Sequence, residues 1–200
     1  MTPTLILAST SPRRRELLSG LGLRFSPFSP GTEEIPLPGE LPPAYVQRNA
    51  RLKAEAALPG LREAAHGVIV AADTIVVLDD AILEKPRDAD DAEAMLKRLS
   101  GRSHTVYTGL CVLQTKKSVV VAHEKLVGTK VLMKGLSPTE IKAYVATGEP
   151  LDKAGSYAAQ GLGGYMVREV HGSFSNVVGL PLTELVEILT SHCGISIFAS

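Results

Sequence analysis

The 200-residue sequence lacks the features that mark several large classes of protein. Its formal net charge is zero, from 21 Lys and Arg against 21 Asp and Glu, whereas a general polyanion binder needs many excess cations. Cys111 and Cys193 form no CxxC pair, so we expect two buried thiols and no disulfide framework. No segment approaches the ~20 apolar residues of a membrane span, and the N-terminus does not have the pattern of a signal peptide. These absences predict a soluble, cytoplasmic protein that binds neither nucleic acid nor membrane.

Common catalytic motifs are missing as well. The sequence contains no GxxxxGK[ST] phosphate loop, no GxSxG nucleophile elbow and no HExxH zinc motif. Its five histidines show no metal-ligand spacing, and we expect His104 and His171 to be structural. The run GLGG lacks the dinucleotide fingerprint, and the glutamate-rich helix of Nudix hydrolases is absent.

Strand and helix signals alternate along most of the chain, which predicts an α/β fold. The length suits one domain over residues 1–200, or two closely merged lobes. The pattern predicts strands at 5–8, 23–29, 104–115 and 118–133, and one or two core strands over 67–80 with a turn at Asp79–Asp80. It predicts helices at 12–21, 43–58, 88–100, 137–147 and 181–191. We expect a proline-rich loop at 33–43 and a glycine-rich loop at 152–165.

Three arginines stand at the start of the first predicted helix. Ser11 is a good N-cap and Pro12 suits the first helical position, which places Arg13–Arg15 in the first turn. Cations are disfavoured there because the exposed N–H groups already make that end positive. The helices after Asp88 and Ser137 follow the usual rules of capping and charge. The exception therefore favours an anion site at the first helix over a simply solvated turn.

Asp73 is the most informative residue because it interrupts the apolar tract VIVAADTIVVL. A buried carboxylate costs several kcal/mol unless it is paired, hydrogen-bonded or bound to a metal. A metal ligand or general base beside Thr74 is the favoured interpretation; a buried ion pair or a turn cap is the alternative.

Other charged residues could join Asp73 around one anion. Glu33 and Glu34 could complete an all-oxygen site for Mg²⁺ or Mn²⁺. Lys53 and Lys85 are the candidate cations, although surface lysines are the commoner outcome. Phosphoryl transfer uses this combination of cations, a hard divalent metal and a carboxylate.

Five blocks of sequence, in the same order, resemble the Maf family of nucleoside triphosphate pyrophosphatases. They are SxSPRRxELL, AADTIVVLDDAILEKP, LSGRSHTVYTG, GEPLDKAGSYAAQG and SNVVGLPL. The resemblance implies a two-lobed α/β fold, with a mixed central sheet and flanking helices, similar to that of the inosine triphosphate pyrophosphatases. It also implies cleavage of a nucleoside triphosphate to the monophosphate and pyrophosphate with a divalent cation, a homodimer, and a house-cleaning or division-linked role.

The resemblance also assigns roles to residues. The catalytic residues it implies are Asp73, Lys53, Lys85 and Glu34, with Glu34 and Asp73 holding Mg²⁺ or Mn²⁺. The substrate-binding residues it implies are Ser9, Arg13, Thr74 and Gln160. Arg13, Thr74 and Gln160 match the branch that acts on dTTP and UTP. Arg13 would face the triphosphate, with Arg14 and Arg15 in solvent.

The chain departs from the usual family pattern at a few points. Residues 48–50 read RNA where many members read RLA, Asp80 replaces a turn glycine, and AAQG replaces GIQG. Because none of these touches a residue with an assigned role, we expect them to affect local packing more than activity.

Two other function classes stay open at this point. A non-catalytic nucleotide-binding regulator of cell division could use the same phosphate site, although the intact Asp73, Glu34, Lys53 and Lys85 argue against it. A nucleic-acid-binding module reading the backbone through Arg13–Arg15 is disfavoured by the zero net charge and by only five Tyr and four Phe.

Overall fold

The computed structural model of the protein describes residues 3–61, 66–116 and 119–197. Within these ranges the strands are β1 (Thr4–Ala8), β2 (Ser26–Phe28), β3 (His66–Leu78), β4 (Ala81–Leu83), β5 (Ser103–Lys116), β6 (Val119–Met133) and β7 (Val167–His171). The helices are α1 (Pro12–Gly20), α2 (Pro42–Ala56), α3 (Ala89–Leu99), α4 (Pro138–Ala146), α5 (Phe174–Val178) and α6 (Leu182–Ser191). No helix in the described ranges is both long and apolar enough to span a bilayer.

The strands form one sheet in the order β2-β1-β3-β5-β6-β7, with β4 paired to β3. β1 is parallel to β2 and to β3, whereas β4 is antiparallel to β3 and β7 is antiparallel to β6. The predicted mixed α/β sheet with helices is therefore confirmed.

The chain divides into two compact units, and each has its own apolar core. The first unit comprises residues 1–73, 108–127 and 179–200, and the second comprises 74–107 and 128–178. In the second unit the core packs α3 and α4 onto β3, β5 and β6 through residues such as Val76, Leu96, Val106, Val131 and Ile141. The prediction of a single domain over 1–200 stays a prediction.

In the first unit, β1 and the first part of β3 are buried on both faces. Leu5, Leu7, Val68, Val70 and Ala72 belong to a core that includes Leu18 of α1 and Leu185, Ile188 and Leu189 of α6. Ile6, Ala8, Ile69 and Ala71 belong to a separate core with Ala50 and Ala54 of α2. Since side chains alternate along a strand, the position after Ala72 belongs to the α2 face. That position is Asp73.

Most local predictions are confirmed, but β4, β7 and α5 are not among the predicted elements, and several element boundaries differ. Ser11, Asp88 and Ser137 cap α1, α3 and α4 as predicted, and Ser137 and Glu140 form the capping box. β2 is shorter than the predicted 23–29, and α2 begins one residue earlier than predicted, at Pro42. The two predicted strands at 104–115 and 118–133 are neighbours in the sheet, although Ser118 lies outside the described residues.

Both cysteines are buried, as predicted. Burial raises the pKa of the Cys111 thiol to about 12 and that of Cys193 to about 11. Both thiols therefore stay protonated at neutral pH, and neither is suited to nucleophilic chemistry.

His104 is a structural histidine of the second unit. Its side chain is 3% exposed, and Nε2 lies 2.8 Å from the Tyr157 hydroxyl. The two rings meet edge to face with centroids 5.4 Å apart. Burial lowers the pKa of His104 to about 4. The imidazole is consequently neutral in the folded protein at every pH at which the protein is normally handled.

This buried imidazole predicts a loss of stability in mild acid. In the unfolded chain His104 binds a proton below the ordinary histidine pKa of about 6.5, whereas in the folded chain it binds one only near pH 4. The free energy of unfolding therefore decreases as the pH falls from 6.5 to 4, by up to about 3 kcal/mol. Urea unfolding between pH 7 and pH 4.5 should show a smaller pH dependence for His104→Gln than for the parent chain. The matched control is His171→Gln, at an exposed histidine; equal slopes for all three proteins would contradict the account.

Candidate active site

Asp73, Lys53 and Glu34 form one charged cluster in the first unit. The Lys53 ammonium lies 2.7 Å from Oδ1 of Asp73 and 2.8 Å from Oε1 of Glu34. Asp73 is 4% exposed and Lys53 is 7% exposed, whereas about half of the Glu34 side chain is in water. Three residues that are far apart in sequence are thus brought together. The buried ion pair that was the alternative interpretation of Asp73 is present, and its role as a metal ligand or general base stays a prediction.

Helix α2 positions this cluster from one stripe of its surface. Tyr45, Asn49 and Lys53 follow each other at intervals of four residues, so their side chains lie on the same face of the helix. All three are buried. Lys53 contacts Oδ1 of Asp73, and the Asn49 amide donates to Oδ2 over 3.2 Å. One helix therefore holds both oxygens of the buried carboxylate.

α2 can approach β5 this closely because residue 109 is a glycine. A Cβ on Gly109 would lie 2.5 Å from the backbone oxygen of Val46, well inside the distance that real Cβ atoms keep. Beside it, the Gln47 side chain donates to the backbone oxygen of Leu110 over 3.2 Å. The glycine thus sets the height of α2 above the sheet.

The same helix also fixes the proline-rich loop that carries Glu34. The Tyr45 hydroxyl donates to the backbone oxygen of Glu34 over 2.9 Å. Arg48 holds the Glu40 carboxylate with two bonds of 2.7 Å and donates to the Ile35 oxygen. These bonds lower the pKa of Glu40 to about 2. Glu34 is therefore the glutamate at the cluster, while Glu33 is exposed and remains a solvated residue.

Arg14 is the inward-facing arginine of the first turn of α1, so the expectation that it lies in solvent is wrong. Its Nε donates to the Gly179 oxygen over 2.7 Å, and its Nη1 lies 3.5 Å from the Ser9 hydroxyl. Burial lowers the pKa of Arg14, and the carboxylates of Asp73 and Glu34 oppose that shift. Arg15 is exposed, as predicted, and Arg13 is half-buried with no hydrogen bond or ion pair to the described residues.

Ser9 lies at the end of β1, beside the start of α1. It is buried, and its hydroxyl accepts the Ser11 N–H over 3.1 Å. Parallel β1 and β3 pair with Leu7 opposite Val70, so Ser9 and Asp73 both come at the carboxyl ends of this pairing. In open α/β sheets that edge is where ligands bind.

Three residues with assigned roles belong to the second unit: Thr74 and Gln160, assigned to the substrate, and Lys85, assigned to catalysis. Thr74 directly follows Asp73 on β3 and is half-buried; Lys85 is exposed ahead of the buried Pro86. Gln160 is half-buried in the glycine-rich segment, which Glu149 anchors by accepting the N–H groups of Leu162 and Gly163. These positions leave the predicted roles as predictions.

The cluster has the donor set of a site for a divalent cation shared with phosphates. Glu34 and Asp73 each direct a hard carboxylate oxygen towards the Lys53 ammonium, which offsets part of their negative charge. In the described residues there is no group of three or more His, Cys, Asp or Glu suited to a metal ion. Since Mg²⁺ is commonly held by one or two carboxylates together with substrate phosphates, these two residues fit that mode of binding.

Sequence reasoning missed the contact of Asn49 with the site. The departure at 48–50 was expected to touch no residue with a role, and that expectation is wrong because Asn49 bonds to Asp73. The available signal was the spacing of four residues between Asn49 and Lys53, which places them on one helix face. Arg14 gave no comparable signal, since three consecutive arginines differ only in the direction they take from the helix.

Comparison with known proteins places this site in one family. A family model described as "Maf-like protein" matches residues 4–192. A protein named "dTTP/UTP pyrophosphatase" from Anaeromyxobacter dehalogenans (strain 2CP-C) is 53% identical over 189 residues, which is 94% of each chain. Relatives with the same name come from Desulfotalea psychrophila, at 50% identity over 96% of each chain, and Shewanella oneidensis, at 47% over 96% of this chain and 98% of its own.

One similar solved structure is that of the Staphylococcus aureus Ham1 protein. It covers 76% of this chain and 85% of its own, at 13% identity and a TM-score of 0.41.

Breaking the ion pair of Lys53 with Asp73 should destabilise the fold, and removing the Asp73 charge as well should restore most of the stability. Lys53→Met leaves a buried carboxylate without its ammonium and should lower the free energy of unfolding by about 3 kcal/mol, near the lower end for a broken buried pair. The lower end applies because Arg14 still attracts the carboxylate. Adding Asp73→Asn to Lys53→Met should recover most of the loss, measured by urea unfolding at pH 7.

Arg51→Met is the matched control on the same helix. Arg51 pairs with Glu55 over 2.8 Å, but both side chains are exposed, so its loss should cost below about 0.5 kcal/mol. Equal losses for Lys53→Met and Arg51→Met, or no recovery in the double variant, would contradict the proposed dependence of Asp73 on Lys53.

Proposed function

Because the chain belongs to the Maf-like protein family, we propose that it is an enzyme that hydrolyses nucleoside triphosphates, preferably dTTP and UTP, to the monophosphate and pyrophosphate. The observation that carries the proposal is the Glu34–Lys53–Asp73 cluster, in a chain that is 53% identical to a relative named dTTP/UTP pyrophosphatase. A triphosphate needs cations on its oxygens and a carboxylate to handle water. The cluster supplies both.

The triphosphate lies at the N-terminus of α1 in this proposal. Backbone N–H groups there attract phosphate oxygens, and Arg14 adds a fixed positive charge beside Ser9. Arg13 and Lys85 are the further cations that the resemblance assigns. Arg13 makes no hydrogen bond or ion pair to the described residues, so its side chain can turn towards phosphate.

Asp73 acts on the attacking water in the proposed reaction. Water forms a bond to the α phosphorus, the bond from that phosphorus to the bridging oxygen breaks, and pyrophosphate leaves. Asp73 accepts the proton from the water, and Lys53 stabilises the negative charge that develops on the phosphates. The choice of the α phosphorus follows from the family resemblance.

Glu34 and Asp73 are the residues that would hold a divalent cation, Mg²⁺ or Mn²⁺. When bound, such an ion supplies further neutralisation of phosphate oxygens. Lys53 must then share the two carboxylates, which its flexible stem and single ammonium allow.

Gln160 and Thr74 are proposed to select the base, as the resemblance assigns. A glutamine amide offers a donor beside an acceptor, which matches the O4 and N3–H edge that uracil and thymine share. Cytosine presents the reverse pattern and would leave polar groups unpaired. Such mismatches give strong discrimination.

We further propose that the protein is cytoplasmic, forms a homodimer, consists of a single domain over residues 1–200, and binds neither nucleic acid nor membrane. The homodimer and the house-cleaning or division-linked role rest on the family resemblance.

A nucleotide panel tests the proposed function and its selectivity. UTP, dTTP, CTP, GTP, 7-methyl-GTP and ITP are each incubated with Mg²⁺ or Mn²⁺, and products are separated by chromatography. UMP and dTMP with pyrophosphate should be the main products. CTP should be hydrolysed at least about 100-fold more slowly than UTP. Gln160→Glu, which keeps the shape but loses the N–H donor, should lower UTP turnover and raise the ratio of CTP to UTP hydrolysis.

The contrary results are equally distinct. Release of free phosphate in place of pyrophosphate would contradict the assigned bond. Nucleotide binding without turnover would favour the non-catalytic regulator. An unchanged ratio of CTP to UTP hydrolysis in Gln160→Glu would remove that residue from the base site.

A further inference from the structure

Gln160, the residue proposed to select the base, is half-buried in the glycine-rich segment at 152–165. Its side chain makes no hydrogen bond to the part of the chain that the structure describes. The position of its amide is therefore set by the backbone on either side of it. A donor and an acceptor discriminate between bases only where they are held in a fixed position, so the contacts that hold this backbone decide how well the amide can select.

Two side chains near the end of α4 hold this segment from both sides. The Tyr144 hydroxyl accepts the Ala158 N–H over 3.2 Å. The Glu149 carboxylate accepts the Leu162 N–H over 3.0 Å at Oε1 and the Gly163 N–H over 2.8 Å at Oε2. The first contact lies two residues before the glutamine, and the second begins two residues after it.

The glycines on either side of Leu162 allow these two side chains to come close. Gly161 has a φ of +86°, and a Cβ there would collide with Oε1 of Glu149. A Cβ on Gly163 would lie 2.6 Å from the Tyr144 hydroxyl oxygen. The run GLGG, to which the proposed reaction gives no role, is therefore explained by its contacts with Tyr144 and Glu149.

The charge of Glu149 matters for these contacts. Burial raises the pKa of its carboxyl, but hydrogen bonds from the Tyr144 hydroxyl and from two backbone N–H groups outweigh burial and hold the pKa below its ordinary value. The same hydroxyl thus donates to Glu149 and accepts from Ala158, which joins the two contacts into one network. An ionised carboxylate accepts at both oxygens, whereas a glutamine amide accepts at only one.

We propose that Glu149 is a positioning residue that fixes the backbone around Gln160 and thereby sets the preference for uracil and thymine over cytosine. This inference rests on the proposed function, in which Gln160 selects the base. In Glu149→Gln, one of the two backbone N–H groups faces an amide NH2 in place of an acceptor, so the segment shifts. The Gln160 amide then meets the base less accurately, while the groups assigned to the phosphates are unchanged.

The test compares Glu149→Gln with Glu140→Gln in the full-length chain. Glu140 is a matched control because its carboxylate also accepts a backbone N–H, that of Ser137 over 2.8 Å, but at the start of α4. Dissociation constants for UMP and CMP are measured by calorimetry, and kcat and KM are measured for UTP and CTP.

Glu149→Gln should lower the preference for UMP over CMP, and for UTP over CTP in kcat/KM, by about 10-fold, as expected for the loss of one hydrogen bond to the base. The KM for UTP should change more than its kcat. Glu140→Gln should keep both preferences of the parent. If thermal unfolding shows that Glu149→Gln does not fold, Tyr144→Phe, which removes the hydroxyl from the same network, is measured on the same terms.

Binding of the monophosphates needs no turnover, so this inference and the proposed function can fail separately. A parent that hydrolyses no triphosphate would defeat the proposed function, and the UMP and CMP affinities would still decide the role of Glu149. Three results would overturn the inference: an unchanged preference in folded Glu149→Gln, an equal loss in Glu140→Gln, or a parent that binds UMP and CMP equally.

Discussion

A buried negative charge is the constraint on which the first unit depends. Asp73 continues a strand that is covered by apolar side chains on both faces, and its carboxylate, 4% exposed, lies on the same face as Ile69 and Ala71. Such a charge is tolerated only when it is paired and hydrogen-bonded. The lysine, the amide and the nearby guanidinium supply those interactions, and they also assemble the groups that a triphosphate requires.

Helix α2 stabilises the buried Asp73 carboxylate and also positions the charged side chains of the candidate site. On one face of this helix, Tyr45 donates to the backbone oxygen of Glu34 and Asn49 donates to one oxygen of Asp73. Lys53, on the same face, pairs with the carboxylates of Glu34 and Asp73. The close approach at Gly109 gives the stripe its reach. A site built on one helix and one strand is held more rigidly than a site built on loops, and here the only loop member, Glu34, is itself bonded to the helix.

The sequence predicts the parts of this structure that depend on local rules. Helix caps at Ser11, Asp88 and Ser137, and the significance of Asp73, follow from patterns within a few residues. Lys53 and Asp73 were candidates for one site, but their ion pair could not be predicted because it joins distant segments. The inward turn of Arg14 could not be predicted, because it depends on how α1 is rotated over the sheet and three consecutive arginines give no information about that rotation. For the bond from Asn49 to Asp73, the only signal was the spacing of four residues between Asn49 and Lys53 on α2.

The central claim is that the Asp73 carboxylate is both the charge that organises the cluster and the group that acts on water. Turnover of dTTP by Asp73→Asn, with folding checked by circular dichroism and thermal unfolding, tests it most directly. The variant keeps the shape of the side chain and removes its charge. The account predicts a folded protein whose kcat is lower by about 100- to 10,000-fold, the range for loss of a general base. A folded Asp73→Asn protein with the turnover of the parent would contradict it.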